Sequence, residues 1–248
     1  MNFDWFELAV VVVVFIVAGV VKGAIGVGLP TIAMGLLGAL MAPSRAAAIL
    51  IVPALLTNVW QMWDGPALMV LLRRLWPMLI GALLGTLPAA GMLTEANARL
   101  TTGLLGAVLM AYALTGLLGV HFKVSRRAEP ALGPLMGLTT GLINGATGVF
   151  VIPGVPYIQA LELGRDELVQ ALAISAFVSS VALALGLGFN HGLGGAIAMP
   201  AVAALMAAFA GMAIGKALRS KLSVRVFRKT VLAGMLALGA SMVARLVL

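Results

Sequence analysis

A short glycine motif occurs twice in this sequence, and its residue types suit the binding of a small anion. The first copy is KGAIGVG at residues 22–28, and the second is NGATGVF at residues 144–150, 122 positions later. Glycine weakens a helix and frees backbone amides, and in a bilayer freed amides are tolerated only where protein or a water-filled cavity satisfies them. The two breaks therefore predict one binding site built from two halves, with Lys22 adding a positive charge to the first half.

The elements that position these breaks must be helices of an integral membrane protein. Hydrophobic residues make up 62% of the 248 residues, charged residues only 10%, and the mean hydropathy is +1.13. No polar segment is long enough to form a soluble domain. The net charge of +8 lies mainly in loops, so it predicts no nucleic-acid partner. The acidic, aromatic start at residues 1–7 predicts no cleaved signal peptide, and the absence of cysteine excludes disulfides and thiolate metal sites.

Polar and Pro/Gly-rich points divide the chain into eight apolar blocks. They span roughly 5–41, 44–63, 70–92, 98–120, 131–163, 166–189, 193–218 and 226–248. The first and fifth blocks contain the glycine motifs and exceed 30 residues, which is too long for one straight crossing of about 30 Å of hydrocarbon. Each of these two blocks is either one tilted, broken helix or a hairpin that returns to its starting side.

The loop charges favour the hairpins. If both long blocks cross once, basic loop residues divide nine against five between the two faces; if both return, they divide twelve against two. Cytoplasmic loops are enriched in Lys and Arg, so the second division is the expected one, with both termini on the non-cytoplasmic side. Each half then crosses an odd number of times, so the second copy is inverted. The twelve residues are Arg73, Arg74, Lys123, Arg126, Arg127, Arg165, Lys216, Arg219, Lys221, Arg225, Arg228 and Lys229.

The sequence thus predicts an all-α integral membrane protein with two inverted repeats, each a glycine-broken helical hairpin followed by three transmembrane helices. All 248 residues form a single membrane domain, with repeat 1 at about 5–120, a cytoplasmic connector at about 121–130 and repeat 2 at about 131–248. At an offset of 122 the halves align without a gap from residues 22–59 onto 144–181. Gly81 and Gly85 align with Gly211 and Gly215 at an offset of 130, and this GxxxG spacing predicts close helix packing.

Polar residues near the breaks are the candidate ligands. Lys22 either contacts the anion or snorkels to an interface. Polar residues of the flanking blocks either coordinate anion oxygens or bond neighbouring helices. The predicted substrate-binding residues are Lys22, Gly23, Gly26, Asn58, Asn144, Gly145, Thr147, Gly148 and Ser179.

No acidic residue lies at the centre of a predicted span, so a coupling proton would come with the substrate or from loop groups. The spans also lack a nucleophile with a base and a His/Asp/Glu metal cluster. The sequence therefore predicts no enzyme activity, no catalytic residue, no metal and no cofactor. It leaves homo-oligomerisation open.

The chain resembles the TauE/SafE family of sulfite exporters along essentially its whole length. The resemblance rests on the glycine break in the first block, the following Pro30, the corresponding Pro153 and Pro156, the duplicated four-block half and the length near 250. The chain departs from the family pattern at Leu29 and Phe150, which interrupt the glycine runs. This resemblance implies an inner-membrane secondary transporter of sulfite, sulfoacetate or related organosulfonates, with alternating access at a midplane site. A passive anion channel and a transporter of another small anion, such as a carboxylate, are the alternatives.

Overall fold

The computed structural model describes residues 5–94, 96–119, 123–189, 198–219 and 223–247. The described residues form ten α-helices and a short 3-10 turn, 90–92, and contain no strand. The helices are α1 (Trp5–Ile25), α2 (Leu29–Gly38), α3 (Pro43–Trp63), α4 (Leu68–Ala89), α5 (Ala98–Leu118), α6 (Glu129–Thr147), α7 (Gly154–Gln159), α8 (Arg165–Phe189), α9 (Ala198–Leu218) and α10 (Val224–Val247). The described ranges leave out residues 1–4 and 248 at the two ends of the chain, residues 121 and 122 of the predicted connector, and Lys221.

Seven of the described helices are long and apolar enough to cross a membrane, namely α1, α3, α4 with its 3-10 turn, α5, α8, α9 and α10. This confirms the prediction of an all-helical, multi-pass membrane protein. The buried share of the most apolar stretch is 56% in α3 and 61% in α8, against 22% in α10. The helices that follow each hairpin therefore form the centre of the bundle, and α10 lies at its periphery.

The two long blocks each form a long arm followed by a short one. In the first block, α1 has 21 residues and α2 has 10; in the second, α6 has 19 and α7 has only 6. Proline is the second residue of α2 and of α6, where its missing N–H costs no helical hydrogen bond. The return arms are thus unequal, and only α2 is long enough to carry an appreciable helix dipole.

Polar contacts bring together the helix ends at one side of the bundle, here called the first face. Glu7 at the start of α1 forms a salt bridge of 3.0 Å with Arg45 at the start of α3. Arg245 near the end of α10 donates to the carbonyl oxygen of Ala39, which follows α2, at 3.1 Å. The start of α1 and the start of α3 therefore lie side by side, as a hairpin requires.

A second set of contacts lies at the opposite side, here called the second face. Arg74, early in α4, binds Glu129 at the start of α6 at 2.6 Å and the carbonyl oxygen of Leu161, just after α7, at 3.1 Å. The amide of Val124 donates to the carbonyl oxygen of Ala160 at 3.0 Å. The start of α6 and the residues that follow α7 are thus neighbours, as the start of α1 is a neighbour of the start of α3.

Glycines allow the long arms to cross helices of the opposite half at backbone contact. A methyl group at Gly19 or Gly211 would collide with a carbonyl oxygen across the α1–α9 crossing. Gly85 and Gly141 hold the corresponding positions at the α4–α6 crossing, and a methyl group on either would likewise meet a carbonyl oxygen. The prediction that the paired GxxxG glycines serve close packing is confirmed.

Candidate functional site

The first glycine motif ends α1 and starts α2 within three residues. The amide of Gly26 donates to the carbonyl oxygen of Lys22 at 2.7 Å, and φ is 93° at Gly26 and 111° at Gly28. These left-handed conformations favour glycine and close the helix end. The free carbonyl oxygen of Gly26 accepts a hydrogen bond from Gln61 Nε2 at 2.5 Å, so α3 holds the break in place.

Lys22 directs its amine into the protein. Only 3% of the residue is exposed, and Nζ donates to Thr57 Oγ1 at 3.0 Å and to Asn58 Oδ1. The Thr57 hydroxyl donates to the carbonyl oxygen of Pro53 at 2.7 Å, which leaves its lone pairs for the amine. No acidic residue pairs with Lys22 among the residues described. A buried cation with only neutral partners is costly, and a bound anion would compensate it.

A small cavity lies beside this amine and is called the Lys22 cavity. Its volume is about 10 Å³, which is room for about one water. Asn58 is 2% exposed, and its Nδ2 is a buried donor that has no hydrogen-bond partner among the described residues. The cavity therefore combines a cation with a free N–H donor, which is the chemistry that an oxyanion requires. Its lining includes Lys22, Gly26, Gly28, Pro30, Asn58, Gln61, Phe150 and Leu172.

The second glycine motif ends α6 in the same way but presents different chemistry. The amide of Gly148 donates to the carbonyl oxygen of Asn144 at 2.7 Å, with φ of 74° at Gly148. Asn144 Nδ2 donates to the carbonyl oxygen of Ser179 at 3.0 Å and to Thr86 Oγ1 at 3.3 Å. The protein itself therefore occupies both amide hydrogens of Asn144, and the second break offers less to a substrate than the first.

A second cavity, the Asn144 cavity, also has a volume of about 10 Å³. Pro30 and Phe150 line both cavities, so these two side chains form a wall between them. Phe150 occupies the position that corresponds to Gly28 in the first motif and is 5% exposed. The two breaks thus meet at one apolar partition. The Asn144 cavity is lined by Asn144, Gly148, Ser179 and Ser180 besides that partition and apolar residues of α3 and α8.

The structure divides the predicted site residues into two groups. Six line one of the two cavities: Lys22, Gly26 and Asn58 in the first, and Asn144, Gly148 and Ser179 in the second. Three do not. Gly23 and Gly145 lie at helix crossings, where a methyl group would collide with the carbonyl oxygens of Met212 and Thr86. The Thr147 hydroxyl donates to the carbonyl oxygen of Ile143 at 2.6 Å.

Two further polar residues support the breaks and were absent from the predicted set. Gln61 holds the Gly26 carbonyl, and Thr86 accepts from Asn144 while donating to the carbonyl oxygen of Ala82 at 2.7 Å. Gln61 lies four residues after Thr57 and therefore on the same face of α3, which is the sequence signal for Gln61. For Thr86 the sequence signal is a single hydroxyl side chain among apolar residues of α4.

Comparison with known proteins gives one match. The family model described as sulfite exporter TauE/SafE matches residues 11–242, which is nearly the whole chain. No curated protein and no solved structure matches the sequence.

Proposed function

Because this chain belongs to the sulfite exporter TauE/SafE family, we propose that it is a secondary transporter of small sulfur-containing anions such as sulfite and sulfoacetate. The observation that carries the proposal is the buried Lys22 amine, which among the described residues has only the neutral Thr57 and Asn58 as partners. A sulfite or sulfonate oxygen would accept from this amine and from the free Nδ2 of Asn58. Intramembrane cations of this kind usually mark a substrate pathway.

The start of α2 adds a third favourable element. Gly28 and Pro30, at the first turn of α2, line the Lys22 cavity. The first N–H groups of a helix have no intrahelical partner and carry the positive end of the helix dipole. Broken helices that aim such ends at an anion are typical of transporters built from inverted repeats. The amine, the amide and the helix end would therefore act on the same anion.

We propose that the two halves form an inverted repeat and alternate between the two faces. The pairing of helices supports this, since α1 packs on α9 while α6 packs on α4, and α3 packs on α8 while α5 packs on α10. Exchange of the two halves reproduces each of these pairs. The loop charges support a bacterial-type inner membrane with the second face towards the cytoplasm.

The size of the two cavities favours a carrier over a passive channel. Each has room for about one water, whereas sulfite has four heavy atoms and must displace the walls to enter. Binding and release then require movement of the hairpins or of the Pro30–Phe150 partition. A substrate that can enter only by such movement is transported in a saturable cycle and not by free diffusion through a pore.

Proteoliposomes loaded with unlabelled sulfite test this function. We expect labelled sulfite to accumulate transiently by counterflow, with saturation at high concentration, and to be competed by sulfoacetate. Lys22→Met should reduce counterflow at least about tenfold, while Lys229→Met, at an exposed lysine of α10, should leave it intact. Flux that never saturates and shows no counterflow would identify a channel, and the absence of flux for any small anion with an intact fold would exclude the transporter.

A further inference from the structure

A larger cavity of about 220 Å³ lies at the second face beside the first glycine break. Three arginines line it, from the start of α8, the end of α9 and the first turns of α10: Arg165, Arg219 and Arg228. All three are among the basic residues, in or near loops, from which the topology was predicted. The topology alone does not require that they converge on one cavity. We call this cavity the arginine vestibule.

The vestibule has a strong positive charge without internal compensation. None of its lining residues is acidic, and none of the three guanidinium groups has a hydrogen-bond or ion-pair partner among the described residues. Other arginines at the same face do have one, since Arg74 is paired with Glu129. Guanidinium groups bind oxyanions in a planar, bidentate geometry, so three of them in one cavity are suited to that class of ligand.

The vestibule adjoins the Lys22 cavity. Val27, Gly28 and Leu172 line both, so the two spaces are separated only by these residues. An anion in the vestibule therefore lies beside the start of α2 and is separated from the Lys22 cavity by these residues. This adjacency distinguishes the vestibule from a surface patch that only attracts ions in general.

The remaining wall of the vestibule is apolar. Val231, Leu232 and Met235 of α10 form one side, and Val21 and Ile25 of α1 form another. The volume is about twenty times that of the Lys22 cavity, so it exceeds what a bare oxyanion needs. A ligand that fills both parts has an anionic head and a short hydrocarbon group.

We propose that the arginine vestibule is a second anion site, which binds sulfonates with a short alkyl group before they reach Lys22. The head lies on Arg165, Arg219 and Arg228, and the alkyl group lies on Val231, Leu232 and Met235. The inference rests on the proposed function for its role in transport, but binding at the vestibule requires no transport. A headgroup of an anionic lipid has the same oxyanion chemistry, and the experiment below separates the two sources.

Direct binding to the purified protein in neutral detergent, measured by isothermal titration calorimetry, tests the site. Butanesulfonate is expected to bind at least about tenfold more tightly than methanesulfonate, because its additional methylene groups are buried. Arg219→Gln and Arg228→Gln should each weaken butanesulfonate binding about threefold to fivefold, since each removes one partly screened charge. Arg225→Gln, at an exposed arginine of α10, the helix that carries Arg228, is the matched control and should bind butanesulfonate as the wild type does.

Lys22→Met separates this site from the inner one and should retain butanesulfonate binding. Equal affinity for the two sulfonates, or equal affinity in the vestibule variants and the control, would overturn the proposal. Phosphatidylglycerol, added at the fraction that it has in the membrane, should leave butanesulfonate binding unchanged. If this lipid eliminates the binding of butanesulfonate, the vestibule is a site for a lipid headgroup. If liposomes show no anion flux while arginine-dependent binding persists, the proposed function fails and the binding site stands.

Discussion

Lys22 and Asn144 hold the same place in their hairpins but use their side chains differently. The carbonyl oxygen of each accepts the amide of the glycine four residues later at 2.7 Å. Lys22 reaches Thr57 of α3, and Asn144 reaches Ser179 of α8, which are again 122 positions apart. Both amide hydrogens of Asn144 are bonded within the protein, whereas the charge of Lys22 has no counter-ion among the described residues. We therefore propose that recognition of an anion depends on the first hairpin.

Lys22→Met removes the charge and keeps most of the side-chain length. We expect sulfite transport to fall at least about tenfold, because a hydrogen bond to a charged group contributes about 1.5–3 kcal/mol. Thermal stability should stay the same or rise, since a buried cation without a counter-ion is costly. Counterflow and thermal unfolding, measured on the same preparation, check both. Normal transport by a less stable variant would mean that Lys22 is a packing residue.

Asn58→Asp places a carboxylate against the Lys22 amine. The new ion pair neutralises the amine internally and repels an incoming anion, so we expect loss of sulfite binding without loss of the fold. Asn97→Asp, the same change at an exposed residue before α5, is the control. The affinity for sulfite decides the outcome. Retained affinity in Asn58→Asp would place the anion elsewhere.

The loop charges predict the hairpins, and the contacts of Glu7 with Arg45 and of Arg74 with Glu129 are compatible with that prediction. The register of the helix crossings was not predictable in the same way. Gly141 of α6 faces the carbonyl oxygen of Ala82 in α4, and the corresponding Gly19 of α1 faces that of Ala208 in α9. These two contacts relate α4 to α9 by an offset of 126 residues. Alignment of the GxxxG glycines of the two helices gives an offset of 130 residues instead. Glycines repeat every four residues, so a slip of one helical turn aligns them equally well.

The site was predictable in part for a related reason. Spacing within a helix shows which residues share a face, and the four-residue spacing of Thr57 and Gln61 places both on one face of α3. Spacing does not show which donors the protein itself occupies. Asn144 and Thr147 are polar and near the break, but their hydrogen bonds go to Ser179 and Ile143. Only the packed structure distinguishes these from the free Nδ2 of Asn58.

Gly145→Ala tests the helix crossing. A methyl group there would lie 2.5 Å from the carbonyl oxygen of Thr86, so the helices must separate. We expect destabilisation of about 1–3 kcal/mol, as for other overpacked interfaces. Gly234→Ala is the control, because a methyl group at Gly234 has nothing within 4 Å. Thermal unfolding in detergent should separate the two variants, and equal stability would exclude backbone contact at Gly145.

Phe150→Leu tests the partition between the two cavities. A smaller side chain should join the Lys22 and Asn144 cavities, so we expect flux of sulfoacetate to increase relative to sulfite. Phe189→Leu, at an exposed residue near the end of α8, is the control. The measurement is the ratio of the two labelled fluxes. An unchanged ratio in Phe150→Leu would mean that this side chain does not limit substrate size.

Single cysteines test the topology cleanly, because the chain contains none. Trp5→Cys lies at the start of α1, Leu40→Cys lies between α2 and α3, and Ser125→Cys lies in the segment before α6; all three positions are exposed. If the first hairpin returns to the first face and the second face is cytoplasmic, a membrane-impermeant maleimide added to spheroplasts should label the first two only. Ser125→Cys should react after permeabilisation. Labelling of only one of Trp5→Cys and Leu40→Cys in intact spheroplasts would mean that the first block crosses once. Labelling of Ser125→Cys alone would reverse the orientation. The two faces carry twelve and two basic loop residues in the hairpin arrangement, so the positive-inside rule predicts the first outcome.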